Sequence, residues 1–161
     1  MPPVHNHVFN HIALSVADCD AAVRFYGDVF GFKRLRRDGV RDRDQNPEQP
    51  IFKIYGSKLQ KVKVAWLGCG NSVGFEVFEF IDPPHQPRSE TFDYPRAGFF
   101  HMAVTAPDVE AACQRAIEHG GRQIGETVAV GDGEKALYLS DPWGNVVEVL
   151  SCSFEALMAN K

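Results

Sequence analysis

Four side chains in this sequence are placed to do metal chemistry: His11, Glu76, His101 and Glu148. Two neutral imidazoles and two carboxylates suit Zn²⁺, Ni²⁺, Fe²⁺, Mn²⁺ or Co²⁺, and the carboxylates offset the ion's charge. Each glutamate interrupts an apolar run, Gly74-Phe75-Glu76-Val77-Phe78 and Val146-Val147-Glu148-Val149-Leu150. Burying a lone carboxylate is costly, and a bound cation is its simplest partner. Four protein ligands leave about two positions of an octahedron for substrate oxygens, which a Lewis acid polarises. A carboxylate beside such an ion can move a proton, which makes Glu148 or Glu76 the candidate base. His5 and His7 share strand parity with His11 and form a rival N-terminal cluster, but neither has a counterpart later in the chain.

The elements that must carry these residues come from an internal repeat. His11 and His101 stand 90 residues apart. At the same offset Phe9, Ala13, Asp18, Ala21, Ala22 and Gly31 match Phe99, Ala103, Asp108, Ala111, Ala112 and Gly121 without a gap. Periodicity changes at the same place in both copies. Residues 9–16 and 99–105 alternate as strands do. Asp18 and Asp108 read as helix N-caps. Apolar residues then recur at helical spacing: Ala22, Tyr26, Val29 and Phe30, and Val109, Ala112, Cys113, Ala116 and Ile117. Gly31 and the pair Gly120-Gly121 supply left-handed stops.

Three strand-like runs follow each helix, at 32–36, 62–67 and 73–81, and at 122–130, 136–140 and 146–152. Each copy is therefore βαβββ, at about 9–81 and 98–152. An α+β fold is expected, with two tandem modules forming one domain: a curved mixed-sheet cup with helices outside. Residues 37–61 read as a mobile charged loop containing one short strand at 51–55. Residues 82–97 form a Pro-rich linker, and residues 154–160 a short C-terminal helix.

Strand alternation sorts the faces. Ile12, Leu14 and Val16 face the helix, whereas His11, Ala13 and Ser15 face away. The second copy repeats this with His101, Ala103 and Thr105. Phe9, Phe78, Phe80 and Phe99 fall on the ligand faces and suggest an apolar cup for a hydrophobic substrate. His85 and His119 are expected at the solvent, and Tyr138 and Trp143 in packing.

Composition narrows the partners. The 161 residues are 44% hydrophobic and 24% charged, with a net charge of −4, an ordinary globular balance that offers no basic face for nucleic acid. Lys33, Arg34, Arg36, Arg37, Arg41 and Arg43 do cluster, but the interleaved Asp38, Asp42 and Asp44 favour a solvated loop over an anion-binding patch. No apolar run approaches the roughly 20 residues of a membrane helix, and the first residues lack the pattern of a signal peptide. Cys19, Cys69, Cys113 and Cys152 are scattered, as expected of reduced thiols in the cytoplasm.

With these motifs the sequence resembles the vicinal oxygen chelate superfamily, which includes glyoxalase I, extradiol dioxygenases, epimerases and bleomycin or fosfomycin resistance proteins. The carriers are FNHIALSVADCDAAVRFYGDVFGFK, VGFEVFEF, FFHMAVTAPDVEAA and LYLSDPWGNVVEVLS. The resemblance implies metal ligands at His11, Glu76, His101 and Glu148, a set similar to glyoxalase I. It thus implies a lyase or isomerase acting through a metal-stabilised enolate, in a homodimer that takes a small molecule. The subset His11, His101 and Glu148 would instead serve an Fe(II) ring-cleaving dioxygenase, and metal-free members of the superfamily only bind small molecules. Val77-Phe78-Glu79-Phe80 departs from the polar stretch with which glyoxalase I helps hold glutathione.

Overall fold

The computed structural model describes residues 6–131 and 133–159. The chain divides into two compact units: unit 1 holds Met1–Gly27 and Gly31–His85, unit 2 holds Asp28–Phe30 and Gln86–Lys161.

Unit 1 opens with β1 (His11–Ser15) and α1 (Cys19–Phe30). The Asp18 side chain accepts the Ala21 N–H at 2.9 Å, as an N-cap does. Glu79 places a carboxylate oxygen 3.0 Å from the Cys19 N–H, a favourable position for negative charge at a helix start. The polar exception in the Val77–Phe80 run is therefore spent on α1. Gly31 ends the helix at φ 72, where a side chain would be strained. The apolar face of α1, with Cys19, Ala22 and Tyr26 fully buried, belongs to the same core as Leu67, Phe75 and Val77. The Tyr26 and Phe75 rings stand 4.5 Å apart.

The sheet of unit 1 contains β2 (Lys33–Arg34), β3 (Gly39–Asp42), β4 (Lys61–Gly68) and β5 (Gly74–Asp82). Its order is β1-β5-β4-β2, with β3 also on β4 and β1 parallel to β5. The insert at 37–61 corrects the sequence reading twice. Residues 39–42 form a strand, and the expected strand at 51–55 is a helix, α2 (Pro50–Tyr55). Pro50 presets the backbone of its first turn. Arg43 donates to the Phe52, Gly56 and Leu59 carbonyls, which satisfies the helix end. Phe52 then buries with Leu59, Val62, Val64 and Phe78.

Unit 2 repeats the plan: β6 (Met102–Thr105), α3 (Val109–Glu118), β7 (Arg122–Gly131), β8 (Glu134–Ser140) and β9 (Val146–Leu150), in sheet order β6-β9-β8-β7. Asp108 caps α3 through the Ala111 N–H at 2.9 Å. The glycine pair divides its labour. Gly120 takes the left-handed turn at φ 90, while a Cβ on Gly121 would stand 2.7 Å from the Ser140 carbonyl oxygen. Ile117, expected on the buried stripe, is 45% exposed because it falls at the stripe's edge. The short helix α4 (Phe154–Met158) follows and ends one residue earlier than the described part of the expected helix, with Ala159 as its extended C-cap; residue 160 lies outside the described residues. No helix among the described residues is long and apolar enough to cross a membrane.

Candidate metal centre

In unit 1 the parallel register pairs His11 with Gly74 and Ala13 with Glu76. Glu76 therefore lies diagonally from His11 on the face opposite α1, and its Oε2 stands 3.6 Å from the His11 Nε2. The other imidazole nitrogen, Nδ1, is 2.7 Å from the Asn10 Oδ1, which orients the ring. On the neighbouring strand Trp66 is the register partner of Glu76. Its indole N–H donates to the Glu76 Oε1 at 2.9 Å. Burial, and next the negative charge of Glu76, push the Tyr55 phenol above its ordinary value.

Unit 2 builds the same pair from different neighbours. Ala103 pairs with Glu148, and the Glu148 Oε2 lies 3.4 Å from the His101 Nε2. Tyr138 is the register partner of Glu148. Burial, then the charge of Glu148 and a side-chain hydrogen bond to it, raise the Tyr138 phenol. The His101 ring meets Phe100 and Tyr138 edge-on, at 4.5 and 5.3 Å. Its Nδ1 is buried without a hydrogen-bond partner among the described residues.

Both N···O separations exceed the roughly 2.7–3.2 Å of an N–H···O hydrogen bond. Two donors bound to one ion at about 2.1 Å stand about 3.0 Å apart at a right angle and about 3.4 Å apart at a tetrahedral one, which the His101–Glu148 pair matches and the His11–Glu76 pair, at 3.6 Å, slightly exceeds. The donor types and spacing of each pair thus fit a divalent metal. Among the described residues no group of three or more His, Cys, Asp or Glu is placed to hold a metal.

Other expectations fare unevenly. His119 is exposed as expected and His7 is exposed, while His5 lies outside the described residues. His85 is not left to solvent: it is half-buried, with its Nδ1 2.9 Å from the Ser15 Oγ. Of the proposed apolar lining, Phe9 and Phe99 precede their strands and are exposed, and Phe78 is buried beneath α2 residues. All four cysteines are free, with Cys19 and Cys113 buried. The sequence reading missed Asn10 and Trp66 and gave Tyr138 a packing role only. A signal was available: Trp66 and Tyr138 are separated by 72 residues, as are Glu76 and Glu148.

The chain is similar to a 2-epi-5-epi-valiolone epimerase from Actinomyces, at 27% identity over 88% of this chain and 78% of that protein. It is 30% identical to a lactoylglutathione lyase from Pseudomonas putida, over 92% of this chain and 87% of the lyase. A glyoxalase family protein from Bacillus cereus shares the fold, with a TM-score of 0.78 and 16% identity over 93% of this chain and 97% of that one. Residues 8–149 match the Glyoxalase/Bleomycin resistance protein/Dioxygenase superfamily, and the chain belongs to it.

Proposed function

We propose that this protein is a divalent-metal-dependent lyase or isomerase of glyoxalase I type, with His11, Glu76, His101 and Glu148 as ligands. The observation that carries this reading is the duplicated pair. Each unit presents a His Nε2 and a Glu Oε2 at 3.4–3.6 Å, with the glutamate engaged by an aromatic donor from the next strand. A pair built only for stability has no reason to recur with a different aromatic donor at the same register.

A bound divalent ion would supply Lewis-acid polarisation of substrate oxygens. The protein's own groups do the rest. Glu148 or Glu76 takes a proton from carbon beside the substrate carbonyl and returns it at the neighbouring or the same carbon. Trp66 and Tyr138 fix the carboxylates so that little reorganisation is needed. Relatives named as a lyase and an epimerase favour this over a ring-cleaving dioxygenase, as does the bracing of Glu76, which a dioxygenase does not need. The substrate is a small oxygenated molecule. The apolar part of the unit 1 face is used in packing with α2, which removes the main support for a hydrophobic substrate.

Metal analysis of untagged protein tests the ligand set. The expected result is one ion per four ligands, whether one chain or two supply them. Solvent-deuterium incorporation into a panel of 2-hydroxy ketones and 2-oxo aldehydes, with and without glutathione, tests the chemistry. Glu148→Gln and Glu76→Gln assign the base. Full metal content with unchanged turnover in both variants would refute the base assignment, and absence of any bindable divalent ion would refute the enzyme.

A further inference from the structure

The basic residues around β2, β3 and β4 divide into two kinds. Arg34 pairs with Asp38 at 3.1 Å, Lys61 with Asp42 at 2.9 Å and Lys63 with Asp20 at 2.6 Å. Arg43 is spent on backbone carbonyls. Arg36 and Arg41 have no carboxylate partner among the described residues. Both lie over the Trp66 ring instead, with guanidinium carbons 4.6 and 5.6 Å from its centre.

A guanidinium packed on an aromatic face uses its π surface there. Its N–H donors lie in the plane of the group and stay available for two-point binding of an oxyanion. Two such groups share one indole, and that indole holds Glu76 by its N–H. Arg41 folds back beside Gly39, where a Cβ would stand 2.6 Å from the flexible Nη1 end of the side chain. Glu76 makes no direct ion pair with either arginine among the described residues: one of its oxygens accepts from Trp66 and the other faces His11.

We propose that Arg36 and Arg41, laid on Trp66 beside the His11–Glu76 pair, form an oxyanion-binding site for a carboxylate or phosphate group of the substrate. The anion site stands on its own geometry, whereas its assignment to a substrate rests on the metal-centre reading above. The substrate class becomes an oxygenated molecule with an anionic group placed next to the reacting carbons.

The test is titration of inorganic phosphate, and separately benzoate, into the full-length protein at constant ionic strength, followed by tryptophan emission and calorimetry. Saturable binding is expected, weakened about tenfold by Arg36→Gln or Arg41→Gln. Arg41→Lys should also weaken it, because the charge remains but the fork is lost. Arg41→Lys also stands in for an Arg41→Gln variant that fails to fold by circular dichroism. Phosphate alone saturating assigns a phosphate, benzoate alone a carboxylate, and both the shared chemistry. No saturation by either probe, or equal affinity in the Arg36→Gln/Arg41→Gln double variant, would overturn the proposal. Divalent-metal titration of the same variants separates the two readings. Anion binding lost with metal affinity kept is expected here, whereas anion binding present without metal affinity sinks the metal reading alone.

Discussion

Glu76 in unit 1 is held by an indole and Glu148 in unit 2 by a phenol, yet both donors come from the register partner on the neighbouring strand. The histidines differ more. His11 is 48% exposed and tethered to Asn10, whereas His101 is 26% exposed, packed by rings, and lacks a partner for Nδ1 among the described residues. Unit 1 also carries an insert whose helix buries the apolar end of the face that holds His11 and Glu76, and the described residues of unit 2 have no such insert. Strand pairing thus fixes where each His–Glu pair must stand, while the side chains that brace it are free to diverge. Substrate recognition is then expected to concentrate in the unit that gained the insert.

The sharpest contrast concerns thiols on the two helices. Burial, and next the charge of Asp38, push the Cys19 thiol up to about 12, while Cys113 is raised chiefly by burial. Folded protein at pH 7 should alkylate Cys19 about 1,000-fold more slowly than an unperturbed thiol, since each pKa unit is tenfold in thiolate below both values. The raised value favours the protonated folded form. Its contribution to stability is full below about pH 9 and is lost as pH climbs towards about 12. Mass spectrometry of alkylated peptides measures the first, and denaturant unfolding between pH 8 and 11 the second.

Core truncation comes next. Phe75→Ala should cost about 3–5 kcal/mol, because it also strips the ring contact with Tyr26; Leu137→Ala in unit 2 should cost about 2–5 kcal/mol. Urea unfolding reads both. A cost under 1 kcal/mol in either unit would break the view that the two cores are equivalent.

Removing a ligand tests the functional half of the comparison. His11→Ala and His101→Ala should each weaken divalent-metal affinity by more than about 100-fold, beyond the roughly 10–100-fold of an outer partner. If only one histidine matters, the two pairs are not equivalent. Trp66→Phe and Tyr138→Phe keep an aromatic ring and delete the donor, so each should weaken metal affinity by about tenfold. An effect in one unit alone would show that a single brace matters. The smallest changes are expected at the caps: Asp18→Ala and Asp108→Ala should each cost about 1 kcal/mol, and nearly equally, as thermal unfolding would show.

Local chemistry was legible in the residues themselves. Asp18 and Asp108 cap helices because a side-chain oxygen next to free N–H groups needs no distant partner, and Gly31 ends a helix because only its own backbone is involved. The 90-residue repeat made the βαβββ order and the face of each histidine readable, since a period of two follows from the pleat. What distant segments do to one another was not readable. Residues 51–55 read as a short apolar strand, but Pro50, the Arg43 donors and a place for Phe52 in the core make them helical. Arg36 and Arg41 read as two members of a solvated charge cluster, because sequence does not reveal which acid a flexible cation will reach. The tertiary structure gave the nearby acids to Arg34, Lys61 and Lys63 and left these two guanidiniums on Trp66. Sequence determined the elements and their faces, which depend on neighbours along the chain; tertiary structure decided the pairing of long charged side chains, which depends on neighbours in space.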